Sequence, residues 1–147
     1  MNTDINSLKS TIMNIISSNV DTVQDVANYH KVVFSGFPAV TVTVADNDND
    51  FWSVGENLRA FNFDVDVYQQ ISKSTQSVDD NARQSAERIM GNVVSDIIDA
   101  FDDNVEFNGA AEFSRAAPSS WDHMEGAEGF YRHAKIKLQI VKLYTTS

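Results

Sequence analysis

Cysteine is absent from the 147 residues, which excludes disulfide frameworks, thiolate zinc sites, iron–sulfur clusters and cysteine nucleophiles together. Proline occurs twice and glycine six times, and no Pro/Gly-rich linker or internal repeat divides the chain. Basic residues are few: 11 Lys and Arg stand against 21 Asp and Glu, a formal net charge of −10. Such a charge repels a nucleic-acid backbone at long range, so no direct nucleic-acid binding is expected. No apolar run approaches the roughly 20 residues needed to span a bilayer as a helix. The start, Met1 to Ile5, lacks the basic and apolar regions of a signal peptide. The expectation is a cytoplasmically made, membrane-free protein. With 42% apolar residues, residues 1–147 are expected to form a single domain with a real core.

Ile5, Leu8, Ile12, Ile15 and Ile16 recur at steps of three and four, the spacing of one buried helix face. Asn2, Thr3 and Asp4 can cap its free amides, and Asn19-Val20-Asp21 interrupts it. Val23, Val26 and Tyr29 then suggest a short helical turn capped by Asp21 or Thr22. Gly36-Phe37-Pro38 closes that segment, and Pro38 suits the first residue of a strand. A second, longer helix begins at Ser77-Val78-Asp79-Asp80, where a hydroxyl and two carboxylates meet the positive end of the helix dipole. Its stripe is Ala82, Ala86, Ile89, Met90, Val93, Ile97 and Phe101, widened by Val94 and Ile98, and Asp102-Asp103-Asn104 ends it. Gly91 within this helix suggests close packing against a neighbour, since glycine there costs about 1 kcal/mol relative to alanine.

Period-two alternation marks the strands. Val40, Val42 and Val44 alternate with Thr41 and Thr43 between Ala39 and Ala45, as in a half-buried strand. From Arg59 to Gln70, Phe61, Phe63, Val65 and Val67 face one way, and Asn62, Asp64, Asp66 and Tyr68 the other. Two further strands are expected near Ala111 to Ala116 and Phe130 to Tyr144. The second of these has Ala134, Ile136, Leu138 and Ile140 on one face and a phase switch at Val141 and Leu143 that suggests a bulge. Ala117 to Gly129, with Pro118, Gly126 and Gly129, reads as a long hairpin connection or flap. The predicted fold is α+β: a mostly antiparallel four-stranded sheet, with an N-terminal helix and a long central helix packed on one face.

Charge is unevenly distributed. Residues 1–128 hold 7 basic and 21 acidic side chains, whereas residues 129–147 hold Arg132, Lys135, Lys137 and Lys142 and no acid. One reading pairs this basic strand with Asp64 and Asp66 of the same chain; the other gives it to an acidic surface on another subunit.

The chemistry-bearing patterns are incomplete. Asp46-x-Asp48-x-Asp50 resembles the start of a calcium loop, but positions six and twelve of that loop hold Phe51 and Asn57 instead of glycine and glutamate. A solvated turn is the simpler reading. Asp122-His123-Met124-Glu125 offers one imidazole, too few for a metal site, and His133 shares a strand face with Lys135. His30 has no motif around it. Ser35 lies outside any Gly-x-Ser-x-Gly elbow, and no phosphate-binding glycine loop occurs. No catalytic constellation, cofactor site or metal site is assigned, and the chain is not expected to be an enzyme. Trp52, beside Phe51, and Trp121 fall in the two longest predicted loops, where they either anchor their own loops or serve as interface hot spots.

The order of these elements resembles a known family. A helix precedes Pro38-Ala-Val-Thr-Val-Thr-Val44, an acidic turn leads into Glu56-Asn-Leu-Arg-Ala-Phe-Asn-Phe-Asp-Val-Asp-Val67, and a long amphipathic helix and a terminal β-hairpin follow. This resembles the tail terminator proteins (tail completion or neck proteins) of long-tailed bacteriophages. The resemblance covers nearly the whole chain and includes no invariant motif. It implies a structural virion protein that assembles as a ring, commonly a hexamer, on the head-proximal end of the tail tube. Its implied partners are further copies of itself, the tail tube protein and the head–tail connector protein. Phe51, Trp52, Trp121, Arg132, Lys135 and Lys137, with the 114–129 flap, are the candidate contacts.

Two other classes are set beside it. A small-ligand-binding or enzymatic α+β domain would need a pocket between sheet and helices lined by groups such as Tyr29, His133 and Asp66. An acidic mimic of DNA would need Asp64, Asp66, Asp96, Asp99 and Asp103 along one exposed surface.

Overall fold

A computed structural model describes residues 5–31, 33–45, 51–53, 57–72, 80–104, 113–126 and 129–144. The elements run α1 (Ile5–Asn19), β1 (Asp25–Ala27), β2 (Ala39–Val44), β3 (Phe51–Ser53), β4 (Asn57–Ser72), α2 (Asp80–Asp102), β5 (Phe113–Gly126) and β6 (Gly129–Tyr144). The fold is α+β. The sheet is mostly antiparallel, as expected, but among the described residues it has six strands instead of four and one parallel pair. Its path is β1-β2-β4-β6-β5, and β3 pairs with β4 off that path. All pairings are antiparallel except β1 with β2. Because β4 and β5 both run against β6, the segment β4-α2-β5 is a split β-α-β unit with β6 inserted between its strands.

Both helices cover one sheet face. Leu8, Ile12, Ile15 and Ile16 of α1, and Met90, Val93, Val94, Ile97, Ala100 and Phe101 of α2, share one core with Val40, Val42, Phe61, Phe63, Val65, Val67, Ala134, Ile136, Leu138 and Ile140. Full burial of a side chain such as Phe63 or Ile136 contributes roughly 2–3 kcal/mol. The helix stripes and the β4 and β6 alternation therefore agree with the sequence pattern. Asn104 donates its side-chain amide to the Ala100 carbonyl at 2.8 Å, which closes α2 where expected. The caps expected at Asn2 to Asp4 and at Ser77 to Asp79 lie outside the described residues.

Several expectations are corrected. The stretch from Val23 to Tyr29 holds the three-residue strand β1 instead of a helical turn, because Asp25, Val26 and Ala27 pair in parallel with Ala39, Val40 and Thr41. Strand β2 is buried on both faces, Thr41 included, and only Val44 is exposed. The connection after β1 explains this: it crosses the face away from the helices and lays Phe34 and Phe37 there, with Phe34 5.0 Å from the Tyr68 ring and Phe37 5.4 Å from Tyr131. Val141 lies in regular register opposite Ala60. Its phase switch reflects burial of both faces at that end, with Ala60 and Val141 fully covered, and no bulge. The irregularities fall instead at Gln70/Ser72 and Pro118/Ser120. Gly91 is exposed and a Cβ there would meet open space, so no close packing requires it.

The largest correction concerns the flap. Residues 117–126 continue β5, paired with β6 up to Gly126↔Gly129. Gly129 has φ 126°, which glycine adopts without steric penalty at this hairpin end. Strand β6 spans roughly 50 Å at about 3.3 Å per residue, so the hairpin is long and β5 is a sheet edge.

Candidate functional site

Residues facing away from the helices form a polar ladder on β4, β6 and β5. Alternation puts Asp64, Asp66 and Tyr68 of β4 on this face with His133, Lys135 and Lys137 of β6 and Asp122 of β5. Lys137 sits directly across from Asp64, with Nζ 2.8 Å from Oδ1, and Lys135 reaches the same carboxylate diagonally at 3.6 Å. Asp66, directly across from Lys135, is taken by His133 instead: its Oδ1 lies 2.7 Å from Nε2. The other ring nitrogen, Nδ1, lies 2.7 Å from Oδ1 of Asp122.

This arrangement dictates a protonation state. A neutral imidazole carries one N–H and one lone pair, so it can donate to only one of two carboxylates. Both bonds are made when the ring is an imidazolium. Burial opposes that charge, but the hydrogen bonds that the ring donates to Asp66 and Asp122 outweigh it and raise the His133 pKa above its ordinary value. The Tyr68 ring lies 4.9 Å from the His133 ring. Burial, aided by the nearby Asp66 carboxylate, pushes its phenol up to about 12, so it stays protonated at neutral pH. With both nitrogens engaged, His133 has no free lone pair to act as a general base.

A second cluster lies at the outer end of the hairpin, on the helix side. Arg132 donates through Nε and Nη2 to the Glu87 carboxylate of α2, at 2.8 and 3.2 Å. Its guanidinium stands 5.4 Å from the Trp121 ring centroid, within cation–π range. The His123 and Phe130 rings stack at 5.7 Å. Trp121 remains 40% exposed, and Met124, on the other face of β5, 37%. Separately, Asp25 accepts from Lys31 Nζ and from the Ser35 amide, each at 2.8 Å. Burial works against its charge, yet these partners hold its pKa below the usual carboxylate value.

The predicted site residues are thus dispersed. Phe51 and Trp52 belong to strand β3, opposite Arg59 and Leu58, and not to a loop. Trp121 is a strand residue opposite Ala134, and not part of a flap. Arg132, Lys135 and Lys137 pair with acids of their own chain, which supports the intramolecular reading of the basic strand, although Asp66 takes His133 where a lysine was expected. Asp66 and His133 do come together, but on the face opposite the helices, and Tyr29 is exposed outside their cluster. They cannot line a pocket between sheet and helices. Asp64 and Asp66 also lie across the sheet from α2, which carries Asp96 and Asp99 and is followed directly by Asp103, so these acids form no single DNA-like surface.

The Asp46 to Asp50 turn lies outside the described residues. Among the described residues no group of three His, Cys, Asp or Glu side chains is disposed to hold a metal ion, and no helix is long and apolar enough to cross a membrane. A shallow groove of about 460 Å³ lies between Ile89, Asn92, Val93 and Asp96 of α2 and Thr22 and Pro38 beneath them. Sequence reasoning missed the role of Asp122, whose position opposite His133 follows only once β5 extends through the predicted flap. No protein-family model matches the chain, and no curated protein matches it in sequence.

Proposed function

We propose that the chain is a structural virion protein of the tail terminator type. It assembles as a ring, with six copies as the working number, on the head-proximal end of a phage tail tube. It joins the tube to the head connector, and it performs no catalytic step. The observation that carries this reading is the long β5–β6 hairpin, which presents Trp121 and Met124 at an exposed sheet edge. An aromatic and a methionine at an exposed edge suit protein contact, and a free strand edge offers unpaired amides and carbonyls to a neighbour. The polar side chains that might suggest chemistry are instead paired with one another across the sheet. Cyclic assembly needs two different, matching surfaces on each subunit. The hairpin edge and the opposite side of the sheet, where β3 carries Phe51 and Trp52, are the proposed pair.

Antibody labelling of phage particles, read by electron microscopy, tests the assignment. Label at the head–tail junction is the expected result, and label elsewhere or none on particles that carry the protein overturns it. Trp121→Ala is expected to leave a folded subunit that fails to assemble on tail tubes.

The groove beside α2 favours one alternative, a small-ligand-binding domain. A thermal shift of several degrees with a single metabolite, lost in Asn92→Leu, would support that reading over the structural one.

A further inference from the structure

Of the titratable groups in the molecule, His133 is held in a way the proposed ring function does not use. It sits on β6, the strand between β4 and β5, and bonds outward to both neighbours: to Asp66 on β4 and to Asp122 on β5, each at 2.7 Å. Asp66 is buried with its side chain 5% exposed, whereas the Asp122 side chain is 58% exposed. The inner bond is therefore anchored in the sheet, and the outer one grips the edge strand where water can replace it.

Beyond this point the hairpin end is held by its backbone ladder with β6 and by a small set of side-chain contacts. Residues 117–125 of β5 are all exposed, and the register slips between Pro118 and Ser120, just inside the Asp122 contact. Proline supplies no amide, and a bulge leaves a residue unpaired, so the ladder is weakest there. Outside it, side-chain ties of β5 among the described residues include Asp122 with His133, the Trp121–Arg132 contact and the His123–Phe130 stack.

We propose that Asp66, His133 and Asp122 form a protonation-dependent latch, in which the imidazolium clamps the outer half of β5 to the central strand and its deprotonation releases Asp122 and loosens the hairpin end. When the ring loses a proton to solvent, its one remaining N–H stays with the buried Asp66 carboxylate, because a buried carboxylate without a donor is penalised more than an exposed one. The Nδ1 lone pair then faces the Asp122 carboxylate, and the two repel. Among the described residues, the groups facing His133 come from three strands and one loop. Asp66 and Tyr68 come from β4, Asp122 from β5, and Tyr131 and Lys135 flank it on β6. Lys135 turns to Asp64, and Tyr68 remains a neutral phenol across the range. The loop before β2 contributes the uncharged rings Phe34 and Phe37. The two carboxylates therefore dominate and carry the closed, protonated form to higher pH than an ordinary histidine would reach. The latch opens as the pH rises.

Nitrogen-15 NMR of the imidazole rings in the whole chain reads the protonation directly, and hydrogen-exchange protection factors, corrected for intrinsic rates, read the hairpin. The expected result is that His133 titrates above pH 6.5 and becomes neutral with its proton on Nε2. Through the same midpoint, protection at residues 120–125 falls at least tenfold while that at residues 63–67 of β4 is unchanged. In Asp122→Asn the midpoint drops, and the protection of 120–125 is low and independent of this titration. A midpoint at or below the ordinary histidine value overturns the latch. So does unchanged protection of 120–125 as His133 titrates, which the wild-type chain alone can show.

Discussion

Oδ1 of Asp66, a side chain almost without solvent contact, lies 2.7 Å from Nε2 of His133. Removing one partner of a buried ion pair leaves the other desolvated and uncompensated, which typically costs 3–5 kcal/mol. Asp66→Asn keeps the shape and removes the charge, so a loss of about 3 kcal/mol is expected at pH 6 in urea unfolding.

The pH dependence of that loss has a defined sign. The folded-state pKa of His133 is raised, so its contribution to stability is fully present below the unfolded value of about 6.5. It is lost as pH rises through the folded value. The gap between wild type and Asp66→Asn is expected to narrow on going from pH 6 to pH 9. A gap that stays constant across that range would show that His133 is neutral in the folded protein.

This pair also shows where sequence reading stops. The stripes of α1 and α2 and the alternation of β4 and β6 were legible because one buried face forces a regular apolar period. Strand β1 was not, since Val23 and Val26 at a helical step of three imitate a turn. Its three residues are held extended by pairing with Ala39 to Thr41. The outer half of β5 was not legible either: it is exposed on both faces, so nothing imposes an apolar period, and Pro118 and Gly126 imitate a loop. With β5 unread there was no means of placing Asp122 opposite His133. The lysine ladder was half legible, because direct cross-strand pairing gives Asp64 to Lys137 but says nothing of the diagonal that delivers Asp66 to His133.

The two glycines in contrasting environments should respond in opposite directions. Gly91 lies on the exposed side of α2 with open space around its Cβ position. Gly91→Ala is expected to stabilise the protein by about 1 kcal/mol through helix propensity. A Cβ on Gly36 would fall 2.8 Å from Cβ of Gln24. Neither atom is a flexible chain end, and the Gln24 amide is fixed to the Pro38 carbonyl at 2.9 Å. Gly36→Ala is therefore expected to lower the melting temperature, and melting temperatures of both variants equal to that of the wild type would contradict both assignments.

The Arg132–Glu87 bridge should matter less than its geometry suggests. Glu87 is 57% exposed, and solvent-exposed ion pairs generally contribute 0–1 kcal/mol. A double-mutant cycle with Arg132→Ala and Glu87→Ala is expected to return a coupling below about 1 kcal/mol. Arg132→Ala alone should do more than Glu87→Ala, because it also removes the cation over Trp121. That second effect has its own signal: Trp121 emission should change in Arg132→Ala at pH 6, where the His133 latch is closed. If Glu87→Ala alters it equally, the guanidinium is held over the indole chiefly by its bond to α2, and α2 sets the position of the exposed ring at the hairpin end.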